Sequence, residues 1–191
     1  MRKASPLAVL IFAFGILGTS ARAQENTQKG AAAKPAPSPS GAILERWNDI
    51  GRKLIAMAED FPENKYDFKP TPAVRTFAEG LIHAAATNYF FTNVVLGRKP
   101  PAEEDPKRDQ FKNKAAVVAF VKKAFADGAM AIRTKGDKGI SDTIMNPFTD
   151  ERTRVSDFAY DLVEHSGEVY GQLTVYYRLA GLVPPESRPK K

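Results

Sequence analysis

Apolar residues recur at alternating intervals of four and three along four stretches of the chain, the period of helices packed by one face in a bundle. The first stretch places Ile43, Trp47, Ile50, Leu54, Met57 and Phe61 on one stripe, with Ser40 positioned to cap its start and Pro62 to end it. The second opens at Thr76, where Glu79 three residues on completes a capping box. It runs FAEGLIHAAATNYFFTNVVLG to Gly97, and that glycine with the Lys-Pro-Pro beyond it supplies a stop. Apolar side chains cover almost its whole circumference, which predicts the most buried helix of the four. The third begins near Asn113, carries Val117, Phe120, Val121, Ala124 and Phe125 opposite Lys122 and Lys123, contains Gly128 and fades around Thr134. The fourth has the clearest stripe, Val155, Phe158, Leu162, His165, Val169, Leu173, Tyr176 and Ala180, closed by Gly181 and Pro184-Pro185.

Between the first two helices, Glu63-Asn-Lys-Tyr-Asp-Phe-Lys-Pro-Thr-Pro reads as extended chain. The Gly- and Asp-rich connection from Lys135 to Asp150 is long enough for a lid or a crossover. No strand pattern of comparable strength appears, so the fold class is all-α, a four-helix bundle.

The residues ahead of the bundle change the picture of where it works. Met1-Arg2-Lys3 is a basic start, Leu7 to Leu17 an apolar run too short to span a bilayer, and Ala21-Arg22-Ala23 before Gln24 fits signal-peptidase cleavage. Residues 1–23 therefore read as a signal peptide. Residues 24–41, centred on Lys34-Pro-Ala-Pro-Ser-Pro-Ser, read as a flexible linker with too little apolar surface to order itself, and 42–188 as the bundle domain. The expectation is general secretion to the periplasm or medium, with no lipid anchor, which would need a cysteine, and no twin-arginine pair.

The chain has no cysteine, which excludes disulfides, thiolate nucleophiles and cysteine metal sites. Losing Arg2, Lys3 and Arg22 with the signal lowers the 28 basic residues to 25 against 22 acidic ones, and the net charge from +6 to +3. That balance is too mild and dispersed for nucleic acid. No phosphate-binding glycine loop and no Ser/His/Asp arrangement is visible. What remains is a pair of histidines, His83 inside the second helix and His165 on the buried stripe of the fourth.

The run from Thr76 through His83 to Phe91, joined to EHSGEVYGQLTVYYRLAGLVPPESRP at the end, resembles the DinB-like superfamily, the DinB/YfiT-like metalloenzymes, from Ile43 to Arg188. The resemblance is strongest at Tyr170-Gly-Gln-Leu, Tyr177-Arg-Leu and Gly181-Leu-Val-Pro-Pro. It implies a four-helix bundle holding a divalent metal with three histidines, one in the second helix and two in a final H-x-x-x-H-Y-G-Q-L motif. Aligned on Tyr170-Gly-Gln-Leu, the first is His83, the second His165, and the third falls on Val169, which has no lone pair to give. The implied cation, zinc, nickel, iron or manganese, is then expected to bind weakly or not at all. Glu168, three residues after His165, is the candidate substitute ligand; Asp161 lies one turn before His165, and Glu79 is already explained by its cap.

These residues are compatible with three functions. The first is an exported domain with a degenerate metal site, acting as a binding or structural protein. The second, implied by the resemblance, is a metal-dependent hydrolase or transferase using His83 and His165 with a substitute ligand. The third is a homodimeric binding protein. The small-molecule ligand is not specified by the sequence.

Overall fold

In the computed structural model, residues 35–103 and 105–189 are described; the expected signal peptide and most of the expected linker lie outside them. Four helices make up the domain: α1 (Pro39–Asp60), α2 (Phe77–Val95), α3 (Lys114–Gly139) and α4 (Val155–Leu179). Both α1 and α2 pack against α3 and against α4, so α1 lies diagonally across the bundle from α2. Successive helices α1 and α2 are thus not neighbours, and the proline-rich segment from Phe61 to Thr76 spans the diagonal between them.

The predicted stripes form the core. Ile43, Trp47, Ile50, Leu54, Met57 and Phe61 are all buried, as are Val155, Phe158, Leu162, Val169, Leu173 and Tyr176. In α2, 14 of 19 residues are buried, which agrees with its all-round apolar sequence. At the end of the bundle nearest Pro62, Phe61 stacks on Phe77 with centroids 3.8 Å apart, and the Tyr177 ring meets Phe61 edge-on. The Tyr177 hydroxyl shares its one proton between the Met57 carbonyl at 3.0 Å and Asp60 at 3.2 Å, and Arg188 grips Asp60 with two nitrogens. These bonds tie the C-terminal segment to α1.

Besides a single 3-10 turn at Glu63–Lys65 in the segment expected to be extended, two local features differ from the expectation. The α1 cap is Ser38, whose hydroxyl accepts from the Gly41 amide, and Pro39 takes the first helical turn, where a missing N–H costs nothing. The helix therefore starts before Ser40 and includes the last residues of the expected linker. Second, α3 does not stop where its apolar pattern fades. It kinks at Gly136, whose φ of 57° suits glycine, and adds a further turn. The connection crosses the other diagonal of the bundle, from α3 to α4, as a short antiparallel hairpin, β1 (Thr143–Met145) with β2 (Arg152–Arg154), Ile144 opposite Thr153. Three-residue strands are too short to show an alternating signal. The hairpin leads straight into α4, and the amides of Val155 and Ser156 bond the carbonyls of Asp142 and Ile140.

Candidate metal centre

His83 projects from the second turn of α2 and His165 from the middle of α4, two helices in direct contact. The capping box at Thr76 and Glu79 fixes the start of α2, with Glu79 accepting from the Thr76 amide and Thr76 from the Glu79 amide. That cap sets the phase that turns His83 toward α4. The two imidazoles meet edge-to-face, with centroids 4.9 Å apart and ring planes 79° apart. The separation is within what one ion can bridge with metal–nitrogen bonds of about 2.0–2.1 Å. The rings do not bond one another as a histidine pair across the core would.

Each ring has a carboxylate on its Nδ1 side. His83 Nδ1 lies 2.5 Å from Asp105 Oδ1, and the other Asp105 oxygen accepts from Arg75 at 2.8 Å. Burial raises the Asp105 pKa, but the hydrogen bonds from Arg75 and His83 together outweigh it and hold the carboxyl below its ordinary value. In a neutral His83 ring, an ionised carboxylate at Nδ1 favours the tautomer with its proton there and its lone pair on Nε2. At His165 the Glu168 carboxylate is 3.8 Å from Nδ1, too long for a hydrogen bond. Burial, then the neighbouring His83, lowers the His165 pKa and keeps the ring neutral at pH 7. Its Nε2 is buried without a partner.

A third donor does not join the pair. Val169 occupies the place one turn after His165 and is 3% exposed, part of the packed core. Asp105 spends its two oxygens on His83 and Arg75. Glu168 stands 65% exposed on the Nδ1 side of His165 rather than beside the orphaned Nε2, and Asp161 is exposed. Among the described residues, no three His, Cys, Asp or Glu side chains converge as a metal would require. The residues present therefore do not fit a three-donor centre, although two donors and flanking carboxylates are in place.

A groove of about 910 Å³ runs beside the pair between the start of α2, the α2–α3 connection and α4. Arg75, Gly80, Asp105, Leu173 and Tyr176 line it; neither histidine does. Asp105 and Arg75 are the site residues that sequence reading missed. Both sit outside the helical stripes, and the acidic run before Pro106 was the only mark of Asp105 in the sequence.

The model of one family, the DinB superfamily, matches residues 46–173. None of the curated proteins matches the chain. Among solved structures, a DinB-like protein from Bacillus cereus ATCC 10987 shares 20% identity over 75% of this chain and 93% of its own, with a TM-score of 0.56. YfiT from Bacillus subtilis, described as "a probable metal-dependent hydrolase with an unusual four-helix bundle topology", shares 17% identity over 78% of this chain and 94% of its own, with a TM-score of 0.61. An uncharacterised protein from Clostridium difficile 630 has 15% identity over 76% and 99%, at 0.56. At these identities the likeness to solved structures is one of fold.

Proposed function

The chain belongs to the DinB superfamily, and from that premise we propose that it is an exported member whose divalent-metal site is degenerate and which acts in the cell envelope as a binding or structural protein. One observation carries the reading: the place of the third ligand is filled by the buried side chain of Val169, and no other donor among the described residues replaces it. Export rests on the basic start, apolar run and cleavage pattern of residues 1–23.

A second reading, a metal-dependent hydrolase or transferase using His83 and His165, draws on the carboxylates beside both rings. Ligating histidines are commonly oriented by such partners through their other nitrogen, and Asp105 and Glu168 stand at Nδ1 of each. It also draws on the description of YfiT. Two imidazoles bind a cation far more weakly than three, so the degenerate reading takes precedence.

Thermal melts with zinc, nickel or manganese, and with a chelator, separate the two. A ligand that binds only the folded state raises the melting temperature in proportion to its occupancy. The degenerate site predicts superimposable melts in all four conditions. A rise with one cation that disappears in His165→Ala would establish the second reading instead.

A further inference from the structure

Among the described residues, one charge on the wall of the groove beside the histidine pair has no counter-charge. The ionic side chains lining that groove are Arg75, Glu79, Asp105, Lys107 and Arg108. Asp105 is taken by Arg75 and His83, and Arg108 by Asp67 and the Phe111 carbonyl. Glu79 accepts from the Thr76 amide and stands in the first turn of α2, where the helix dipole stabilises an anion. Lys107 is exposed and enters no ion pair among the described residues. Its ammonium keeps its donors for a ligand. The rest of the wall is largely apolar, with Val74, Pro106, Leu173 and Val175. Val74 is 40% and Val175 51% exposed, so two large apolar side chains that the fold leaves open to solvent lie in this one groove. Its volume of about 910 Å³ is within the roughly 300–1,000 Å³ of small-molecule sites.

We propose that the groove binds a small amphipathic carboxylate, a fatty acid in chemical class, with its head group on Lys107 and its hydrocarbon chain along Val74, Leu173 and Val175. A single anionic group cancels the single unmatched charge. A phosphate monoester would bring a second negative charge close to Asp105 and Glu79, which already line the wall. A cationic head would oppose Lys107, and a neutral one would leave it unpaired beneath the ligand. Arg75 gives Asp105 only Nη2, so its other N–H groups are further donors on the same wall. The Tyr176 hydroxyl donates to the Arg75 carbonyl and holds the backbone from which that guanidinium projects. An apolar chain is what the two open valines select, since covering them removes apolar surface from water. The inference deepens the binding reading proposed above and rests on it. It involves neither histidine, so its failure would leave the metal-site reading, tested by the cation melts, standing.

The test is calorimetric titration of the purified protein with octanoate and, separately, with octanamide, which has the same chain and no charge. Octanoate is expected to saturate one site per chain with a Kd in the millimolar range or tighter, and octanamide to bind more weakly. Lys107→Gln should raise the octanoate Kd severalfold and Lys107→Glu on the order of tenfold, the size expected of a solvent-exposed ion pair and its reversal. Val175→Ala should also raise it severalfold by removing apolar contact. Lys123→Gln should leave it unchanged, because Lys123 pairs with Asp127 on α3 and lies outside the groove. Circular dichroism melts of each variant check that these exposed substitutions leave the fold intact. Absence of saturable octanoate binding would overturn the proposal, and so would equal affinity for octanamide or a Kd that neither Lys107 variant moves.

Discussion

Val169→His places an imidazole one turn after His165, on the side of α4 that already faces His83. Structural zinc sites in small peptides release about 10–16 kcal/mol from four donors, roughly 2.5–4 kcal/mol per donor, or about 10²- to 10³-fold in Kd. The two existing rings are 4.9 Å apart and Asp105 already holds one tautomer, so little reorganisation opposes the gain. The opposing cost is packing. Val169 is 3% exposed, and forcing a larger ring into a filled core costs about 1–3 kcal/mol of metal-free stability. The variant should therefore melt below the wild type without metal and bind zinc at least about 100-fold more tightly by calorimetric titration. Zinc should raise its melting temperature while leaving that of the wild type unchanged. If zinc affinity does not move although the variant folds, the pocket has diverged beyond its missing ligand and the reasoning from His83 and His165 fails.

The packing and the charges set three further outcomes. Gly128→Ala would add about 1 kcal/mol of helix propensity, but its Cβ would overlap Trp47 Cζ2. Trp47 is 1% exposed and its indole donates to the Phe125 carbonyl at 2.9 Å, so it cannot yield. A net loss of about 1–3 kcal/mol in urea unfolding is expected, and stability equal to the wild type would refute the close contact. Asp60 is held below its ordinary value of 3.8, chiefly by the hydrogen bonds from Arg188. Because the folded pKa is depressed, its stabilisation is complete above the unfolded pKa and disappears as pH falls through the folded one. The stability gap between wild type and Arg188→Ala should accordingly be full at pH 7 and shrink in strong acid to what the Arg188 bonds to the Val183 carbonyl contribute, and a gap independent of pH would contradict the pairing. For His165, burial and the adjacent His83 put the folded pKa below 6.5. Protonation on acidification then favours the unfolded chain, and NMR should show this ring titrating below an unstructured histidine; a midpoint above 6.5 would be inconsistent with the buried, partnerless Nε2.

Much of this was legible in the sequence because the bundle is built from single stripes. A residue such as Leu54 or Phe158 has one role, burial, and recurs at the helical period, so its neighbours confirm it. The capping box at Thr76 was equally readable, since its two hydrogen bonds are local. The site was only half legible. His83 and His165 stood on the stripes, and the motif around Tyr170 set them in register with Val169. Asp105 and Arg75 lie in connections without periodicity, and only the folded chain brings Asp105, 22 positions along the sequence, against His83. The hairpin was hidden for a similar reason, its pairing being set by the ends of α3 and α4 rather than by any pattern within its two three-residue strands.

On the proposed reading, Val169 leaves the histidine pair without the third donor it needs. Its most direct test is the metal content of the protein, purified without a histidine tag, dialysed against mixed zinc, nickel, iron and manganese and measured by plasma mass spectrometry. A pair lacking its third donor should retain far less than one metal ion per chain, with no difference between the wild type and His165→Ala. Near-stoichiometric metal that is lost in His165→Ala would contradict it and show that the two imidazoles hold a cation with a donor the bundle supplies by other means.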